Sequence, residues 1–88
     1  MSAIINNMFY IYVLKGSSNP SYYVGYTSDL KTRIENHNAG NNTSTRRGRP
    51  WRLIYYEAFS AKNLAQRREQ ILKQRGKAWQ ELKKRIEN

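Results

Sequence analysis

Met8-Phe9-Tyr10-Ile11-Tyr12-Val13-Leu14, a turn cluster, and then Tyr22-Tyr23-Val24-Gly25-Tyr26 decide the fold of this chain. The first run is aromatic and β-branched and contains no turn residue. Apolar side chains fall on both of its faces, so it reads as a strand covered on both sides, central in its sheet. The second run has the same strand character. Between them, Gly16-Ser17-Ser18-Asn19-Pro20-Ser21 is dense in turn formers, and so short a link joins the two runs as a hairpin. Gly25, inside the second strand, predicts a bulge or a close approach of another group to the backbone.

Outward from the hairpin, Thr27 or Ser28 is placed to cap a helix, with Asp29 in its first turn. Leu30, Ile34 and then His37 or Asn38 follow helical spacing, and Gly40 ends the run. Residues 40–50 contain no apolar side chain and read as a solvated loop carrying Arg46, Arg47 and Arg49. Trp51-Arg52-Leu53-Ile54-Tyr55-Tyr56-Glu57-Ala58-Phe59 is a third strand. Ser60 reads as the cap of a second helix over 61–75, with Leu64, Ala65, Ile71 and Leu72 as its inner stripe and Gly76 closing it. Trp79, Leu82 and Ile86, at spacings of three and four, form a last short amphipathic helix. Residues 1–7 read as a flexible tail and residues 8–88 as one domain. The order β-β-α-β-α-α predicts an α+β domain whose three-stranded sheet is flanked by helices.

With 88 residues there is room for one small core. No stretch approaches the ~20 apolar residues of a membrane span. No apolar signal core follows a charged start, so the expected compartment is the cytoplasm. The absence of Cys excludes a disulfide framework, a thiolate zinc site and a Cys nucleophile. One His excludes a multi-His metal site, and six acids exclude a carboxylate-rich two-metal site. The formal charge is +10 and the pI about 10.2. Residues 1–45 carry a net +1 and residues 46–88 a net +9. A folded domain with its charge concentrated in this way suits a polyanion, nucleic acid first.

Some side chains admit both a structural and a chemical reading. Tyr10, Tyr12, Tyr22, Tyr23, Tyr26, Tyr55 and Tyr56 suit strand packing. Asp29, Arg33 and His37 recur every four residues and share a helix face. That face is either an ordinary polar one with an Asp29–Arg33 pair, or a phosphate clamp with a proton relay beside it. Glu69 sits among Lys62, Arg67, Arg68, Lys73 and Arg75. It either pairs with Lys73 or holds a divalent metal that also touches a phosphate.

Tyr10-Ile11-Tyr12, ten intervening residues and Tyr23-Val24-Gly25 resemble the two signature triplets of the GIY-YIG nuclease superfamily. Gly25-Tyr26-Thr27-Ser28-Asp29-Leu30, running on to Arg33 and His37, is similar to the family's turn and helix. Pro50–Glu57 is similar to the third strand of its small stand-alone members, and Ala65-Gln66-Arg67-Arg68-Glu69 to their Glu-bearing helix. The resemblance covers residues 8 to about 76. It implies an antiparallel sheet and metal-dependent hydrolysis of DNA phosphodiesters. Residue by residue, it implies that Tyr12 and Tyr23 are the signature tyrosines, with Tyr12 positioning or activating water. Arg33 would neutralise the phosphate, His37 assist proton transfer, and Glu69 hold one Mg²⁺ or Mn²⁺. Arg46, Arg47, Arg49, Arg52, Arg68 and Lys73 would grip the DNA backbone.

Two departures stand out. Tyr10 occupies the place of the first Gly in the family's name, and only Asn88 follows Glu69, where many active members carry an Asn after the Glu helix. The expectation is a small endonuclease acting on branched, nicked or damaged DNA. Its alternative is a nucleic-acid-binding module that keeps the fold with weak or no catalysis. A third reading is a protein-interaction domain using Trp79, Leu82 and Ile86, a face that otherwise packs on the sheet or on a second copy in a weak homodimer.

Overall fold

A computed structural model describes residues 7–17 and 21–87. Nearly all of the expected tail, the centre of the hairpin turn and Asn88 lie outside the described residues. The elements run β1 (Phe9–Gly16), β2 (Tyr22–Thr27), α1 (Leu30–Ala39), a 3₁₀ turn (Thr43–Gly48), β3 (Trp51–Phe59), α2 (Lys62–Lys73) and α3 (Lys77–Ile86). The strands form one antiparallel sheet in the order β2-β1-β3. β1 is therefore central, as its two apolar faces require. Its register pairs Tyr12 with Gly25 on one side and with Tyr56 on the other.

Alternation along β1 divides the interior into two clusters. Ile11 and Val13 face α2 and α3 and join Val24, Ala65, Leu72, Trp79 and Leu82. Tyr12 and Leu14 point to the opposite side and join Trp51, with Tyr23, Leu30, Ile34 and Leu53 against them. The first cluster is an apolar core; burial of a side chain such as Leu72 contributes about 1.5–3 kcal/mol. Trp79 and Leu82 lie within it, so most of the apolar face of α3 is covered by the domain's own sheet and α2. The second cluster is interleaved with polar groups.

Several local expectations are corrected. Asp29, not Thr27 or Ser28, is the N-cap of α1, its carboxylate accepting the Thr32 N–H at 3.2 Å. Thr27 instead accepts the Asp29 N–H at 3.0 Å through its hydroxyl and shapes the approach. Gly40 does end α1, at φ 81°. The stretch 40–50 is not simply solvated, because Asn42 caps the 3₁₀ turn and Thr45 and Gly48 within it are buried. α2 is shorter than 61–75, and Ala61 rather than Ser60 precedes it, without a side-chain cap. Ala65 and Leu72 form its buried line, whereas Leu64 and Ile71 are 47% and 37% exposed. Gly76 does not close α2; it opens α3, and Gln74 caps α2.

Candidate active site

The site grows from the polar side of the sheet. Tyr12 and Tyr23 project there from neighbouring strands, with ring centroids 6.2 Å apart. Gly25 makes this possible. A Cβ at Gly25 would lie 2.3 Å from the Tyr12 Cζ and Oη, so the ring lies directly against the β2 backbone. The expected close approach is thus an approach of Tyr12 itself.

α1 crosses this face and brings His37 between the tyrosines. Tyr12 Oη and His37 Nε2 are 2.9 Å apart, and the His37 ring meets Tyr23 edge-on with centroids 4.8 Å apart. On its other side, His37 Nδ1 lies 2.8 Å from Thr45 Oγ1. Tyr12 and His37 are fully buried. Burial, with the Arg33 charge beside it, holds the His37 pKa below its usual value, so the ring is neutral near pH 7. Burial is also the largest influence on the Tyr12 phenol, whose pKa is pushed well above the usual 10. Tyr23 and the Glu69 charge push it the same way, while Arg33 opposes them by charge and hydrogen bonding.

Tyr12, Tyr23, Arg33, His37 and Glu69 therefore form one neighbourhood drawn from β1, β2, α1 and α2. Lys73 belongs to it as well, with Nζ 5.7 Å from the Tyr23 ring centroid and 3.1 Å from Glu69 Oε2. The expected i,i+4 pair of Glu69 with Lys73 thus forms, and it lies beside the Tyr23 ring. Asp29 does not pair with Arg33 in this arrangement; its carboxylate caps α1, and hydrogen bonding from Thr32 holds its pKa down. Beside Arg33 and His37 a cleft of about 520 Å³ opens between α1 and the 3₁₀ turn.

The other basic residues lie in varied settings. Arg46 Nε donates to the Gly40 carbonyl at 3.1 Å, and Arg49 Nε to the Arg46 carbonyl at 2.8 Å, so both fold back on the end of α1. Arg47 and Arg52 are exposed. Arg68 stands apart. Its guanidinium donates to both carboxylate oxygens of Glu57, at 2.9 and 3.0 Å. Tyr55 donates to the same carboxylate at 2.5 Å. Burial works against the Glu57 anion, but these donors outweigh it and hold its pKa down.

Among the described residues, no three His, Cys, Asp or Glu side chains gather as a metal-ligand set. Glu69 is the carboxylate whose charge reaches Tyr12. Mg²⁺ commonly takes one or two carboxylates together with substrate oxygens and water, so this donor fits a metal that the substrate completes.

Thr45, Asn42, Asn38 and Trp51 escape the sequence reading. Trp51 Nε1 donates to the Thr45 carbonyl at 2.6 Å. The Asn38 amide exchanges two hydrogen bonds with the Trp51 backbone, at 2.6 and 3.0 Å. A Cβ at Gly48 would come within 2.2 Å of the Trp51 ring, so glycine lets the indole lie flat against the turn. Asn42 followed by Thr43-Ser44-Thr45 is an Asx-turn pattern and was the available signal.

Comparison with known proteins agrees with this architecture. The family model described as the GIY-YIG catalytic domain matches residues 8–86. A UPF0213 protein of Halobacterium salinarum is 41% identical over 75 residues, covering 84% of this chain and 96% of its own. One from Streptococcus agalactiae is 43% identical over 67 residues, 75% of each chain. The solution structure of a UPF0213 protein from Bacillus halodurans aligns with a TM-score of 0.55 at 33% identity, over 91% of this chain and 85% of that one. With the two triplets on adjacent strands, a family match over residues 8–86 and relatives 41% and 43% identical, the chain belongs to the GIY-YIG catalytic domain family.

Proposed function

We propose that the protein is a divalent-metal-dependent endonuclease that hydrolyses DNA phosphodiester bonds. Family membership supports a nuclease. The observation that carries the reading furthest is the fully buried Tyr12–His37 hydrogen bond, set beside Arg33 and within reach of the Glu69 charge.

The raised pKa of Tyr12 means that a free phenolate is scarce near pH 7. The neutral phenol can still act as a base if its own proton leaves as another arrives. Tyr12 Oη is shielded from solvent in the free protein, so the attacking water must reach it with the substrate, by way of the cleft beside Arg33 and His37; it then loses a proton to Tyr12 Oη while the Tyr12 proton moves to His37 Nε2. The water oxygen forms a bond to phosphorus, and the bond from phosphorus to the leaving oxygen breaks. His37 then carries the proton as imidazolium; the leaving oxygen takes a proton from solvent water, and His37 returns its proton through Tyr12 to the hydroxide so formed, which resets the pair. Arg33 offers only donors and a fixed positive charge to the phosphate oxygens. Tyr23 packs edge-on against His37 and keeps the ring in place. Glu69 would hold Mg²⁺ or Mn²⁺, which supplies Lewis-acid charge at the phosphate.

Exposed bases of residues 46–88, among them Arg47, Arg52 and Lys73, supply contacts to the backbone on either side. No helix of the described residues is long and apolar enough to cross a membrane. The relatives are bacterial and archaeal, and a DNA substrate in such cells lies in the cytoplasm. The substrates proposed are structures rather than long sequences: branched, nicked or damaged DNA.

Purified protein incubated with supercoiled plasmid and with branched DNA, in Mg²⁺ or Mn²⁺, tests this directly. Cutting that disappears with chelator, with Glu69→Gln and with Arg33→Ala is expected. Equal cutting by the variants sinks the proposal. Metal-independent DNA binding with no cutting in any metal would favour the binding-module reading instead.

A further inference from the structure

The polar chain behind Tyr12 has two ends that cannot reverse. At one end is Arg33, whose charge acts on the Tyr12 hydroxyl and whose guanidinium has only donors. At the other is the backbone carbonyl of Asn42, which only accepts, and which takes the Thr45 hydroxyl at 3.3 Å. Between them lie the Tyr12–His37 contact at 2.9 Å and the His37–Thr45 contact at 2.8 Å. One arrangement of hydrogens gives each of the three bonds from Tyr12 to Asn42 one donor and one acceptor. Tyr12 donates to His37 Nε2, His37 Nδ1–H to Thr45, and Thr45 to Asn42, which leaves the Tyr12 oxygen lone pairs for the Arg33 charge.

The opposite arrangement loses a bond at one end, where the Asn42 carbonyl keeps only the Thr45 N–H, and strands a donor at the other. Thr45 would have to donate to His37 and release the Asn42 carbonyl. Tyr12 would then accept from His37, and its own hydrogen, with only the donors of Arg33 nearby, would have no acceptor among the described contacts. Tyr12 and His37 are 0% exposed, and an orphaned buried donor is strongly disfavoured.

We infer that Thr45 is a positioning residue that holds His37 as the Nδ1–H tautomer, leaving Nε2 as a bare acceptor for the Tyr12 hydroxyl. Imidazole in water prefers the other tautomer, so the fold must impose this one. Thr45 is built for the task. It is 1% exposed, its N–H reaches the Asn42 carbonyl at 3.2 Å, and its own carbonyl takes the Trp51 indole at 2.6 Å. The stretch 40–50 thus contributes a hydroxyl to the site as well as its arginines. With the tautomer reversed, Nε2 already carries a hydrogen and cannot receive the Tyr12 proton.

The kinetic part of this inference rests on the nuclease reading; the tautomer does not. The chain has a single His, so a long-range ¹⁵N–¹H correlation spectrum of labelled protein reads His37 without ambiguity. Spectra are taken at a pH where the ring is neutral. Wild type is expected to show protonated Nδ1 and bare Nε2. Thr45→Val, nearly isosteric but unable to accept, is expected to move the hydrogen to Nε2, and Thr45→Ser to restore the wild-type pattern. In cleavage assays Thr45→Val should lower kcat on the order of 10²-fold with little change in KM, and Thr45→Ser should recover most of it. A wild-type ring protonated at Nε2 overturns the inference, even if Thr45→Val does not fold. So does Thr45→Val that keeps the Nδ1–H pattern. If the spectra behave as expected and the wild type cuts no DNA, the tautomer assignment stands and the nuclease reading falls.

Discussion

Gly25→Ala is the smallest substitution that should disturb the site without touching any polar group in it. Gly25 and Tyr12 face each other across the β1–β2 ladder. An added Cβ would lie 2.3 Å from the Tyr12 Cζ and Oη and 2.7 Å from Cε1. Ordinary carbon contacts are about 3.5–4.0 Å, so something must move by roughly 1 Å. Tyr12 has little freedom to do so, being fully buried with Tyr23 and His37 against its ring. Gly→Ala at a tolerant site stabilises by about 0.4–1 kcal/mol through the unfolded chain. Here overpacking, at about 1–3 kcal/mol, outweighs that gain. A domain of this size loses about 4–8 °C in Tm per kcal/mol. Activity should suffer more, because displacement by ~1 Å costs on the order of 10²-fold and the Tyr12–His37 bond at 2.9 Å is stretched. Thermal melts and plasmid cleavage, run beside Gly76→Ala, measure both effects. A Cβ at Gly76 meets nothing within 4 Å, so this control should stay within about 0.5 kcal/mol of wild type. If Gly25→Ala is as stable and as active as Gly76→Ala, the Tyr12 ring does not lie against β2 and the geometry argued for the site is wrong.

Further outcomes follow from the same arrangement. Tyr12→Phe leaves His37 Nε2 without its partner in a buried site, which should cost about 1–3 kcal/mol in urea denaturation and lower cleavage by about 10²–10⁴-fold. Replacing Tyr12, His37 and Thr45 together by Phe, Leu and Val removes partners as well as orphans, so its urea midpoint should lie above that of His37→Leu alone; a lower midpoint refutes the reasoning. Stability should fall as the pH drops below about 6.5, because the unfolded chain then takes up a proton that buried His37 resists until a lower pH. Asp29 and Glu57, whose pKa values are lowered from 3.8 and 4.5, add their losses only further down, so chemical denaturation at pH 7.5 and 5.5 isolates His37, and equal values at the two contradict it. DNA affinity should fall steeply with salt, and Arg52→Gln should reduce the log–log slope by about 1. Arg68→Gln should leave the slope unchanged and lower the Tm instead, since both its bonds go to Glu57.

Much of this was legible where a local pattern met a strong physical constraint. The apolar run of β1 admitted only a central strand, and Gly25 announced a close approach two strands could not otherwise make. Tyr12, Tyr23, Arg33, His37 and Glu69 were nameable from spacing only with the help of a family resemblance, because β1, β2, α1 and α2 meet through tertiary packing that no single period encodes. Helix ends were less legible. Asp29 outcompeted Thr27 and Ser28 as cap because its carboxylate reaches the Thr32 N–H, while Thr27 turned its hydroxyl to the Asp29 backbone. Leu64 read as inner because it is apolar, yet the sheet has room for a line only as wide as Ala65 and Leu72. The 40–50 stretch was least legible. Its composition is polar throughout, and the burial of Thr45 depends on Trp51 and Gly48 closing over it from outside the helix it serves.

The two sides of the sheet divide the work of the domain. On one side, Ile11, Val13, Ala65, Leu72, Trp79 and Leu82 make an apolar core that needs no polar partner. On the other, Tyr12, His37 and Thr45 are buried as a hydrogen-bonded chain, and no buried side-chain nitrogen or oxygen among the described residues lacks a partner. Such a chain adds little net stability over apolar residues of the same shape, and it penalises every incomplete version of itself. Folding stability alone therefore does not account for its presence, and the proposed proton transfer would give it a use. The same accounting explains the charge. Residues 1–45, at net +1, carry the proton chain, where extra charges would alter the balance that keeps His37 neutral and Tyr12 protonated. Residues 46–88, at net +9, lie mostly outside it and can attract a polyanion without disturbing it. Glu69 is the point of contact between the two, a carboxylate from the basic segment whose charge reaches Tyr12. In the proposed mechanism, the carboxylate that would hold the metal thus also raises the pKa of the phenol that would take the water's proton.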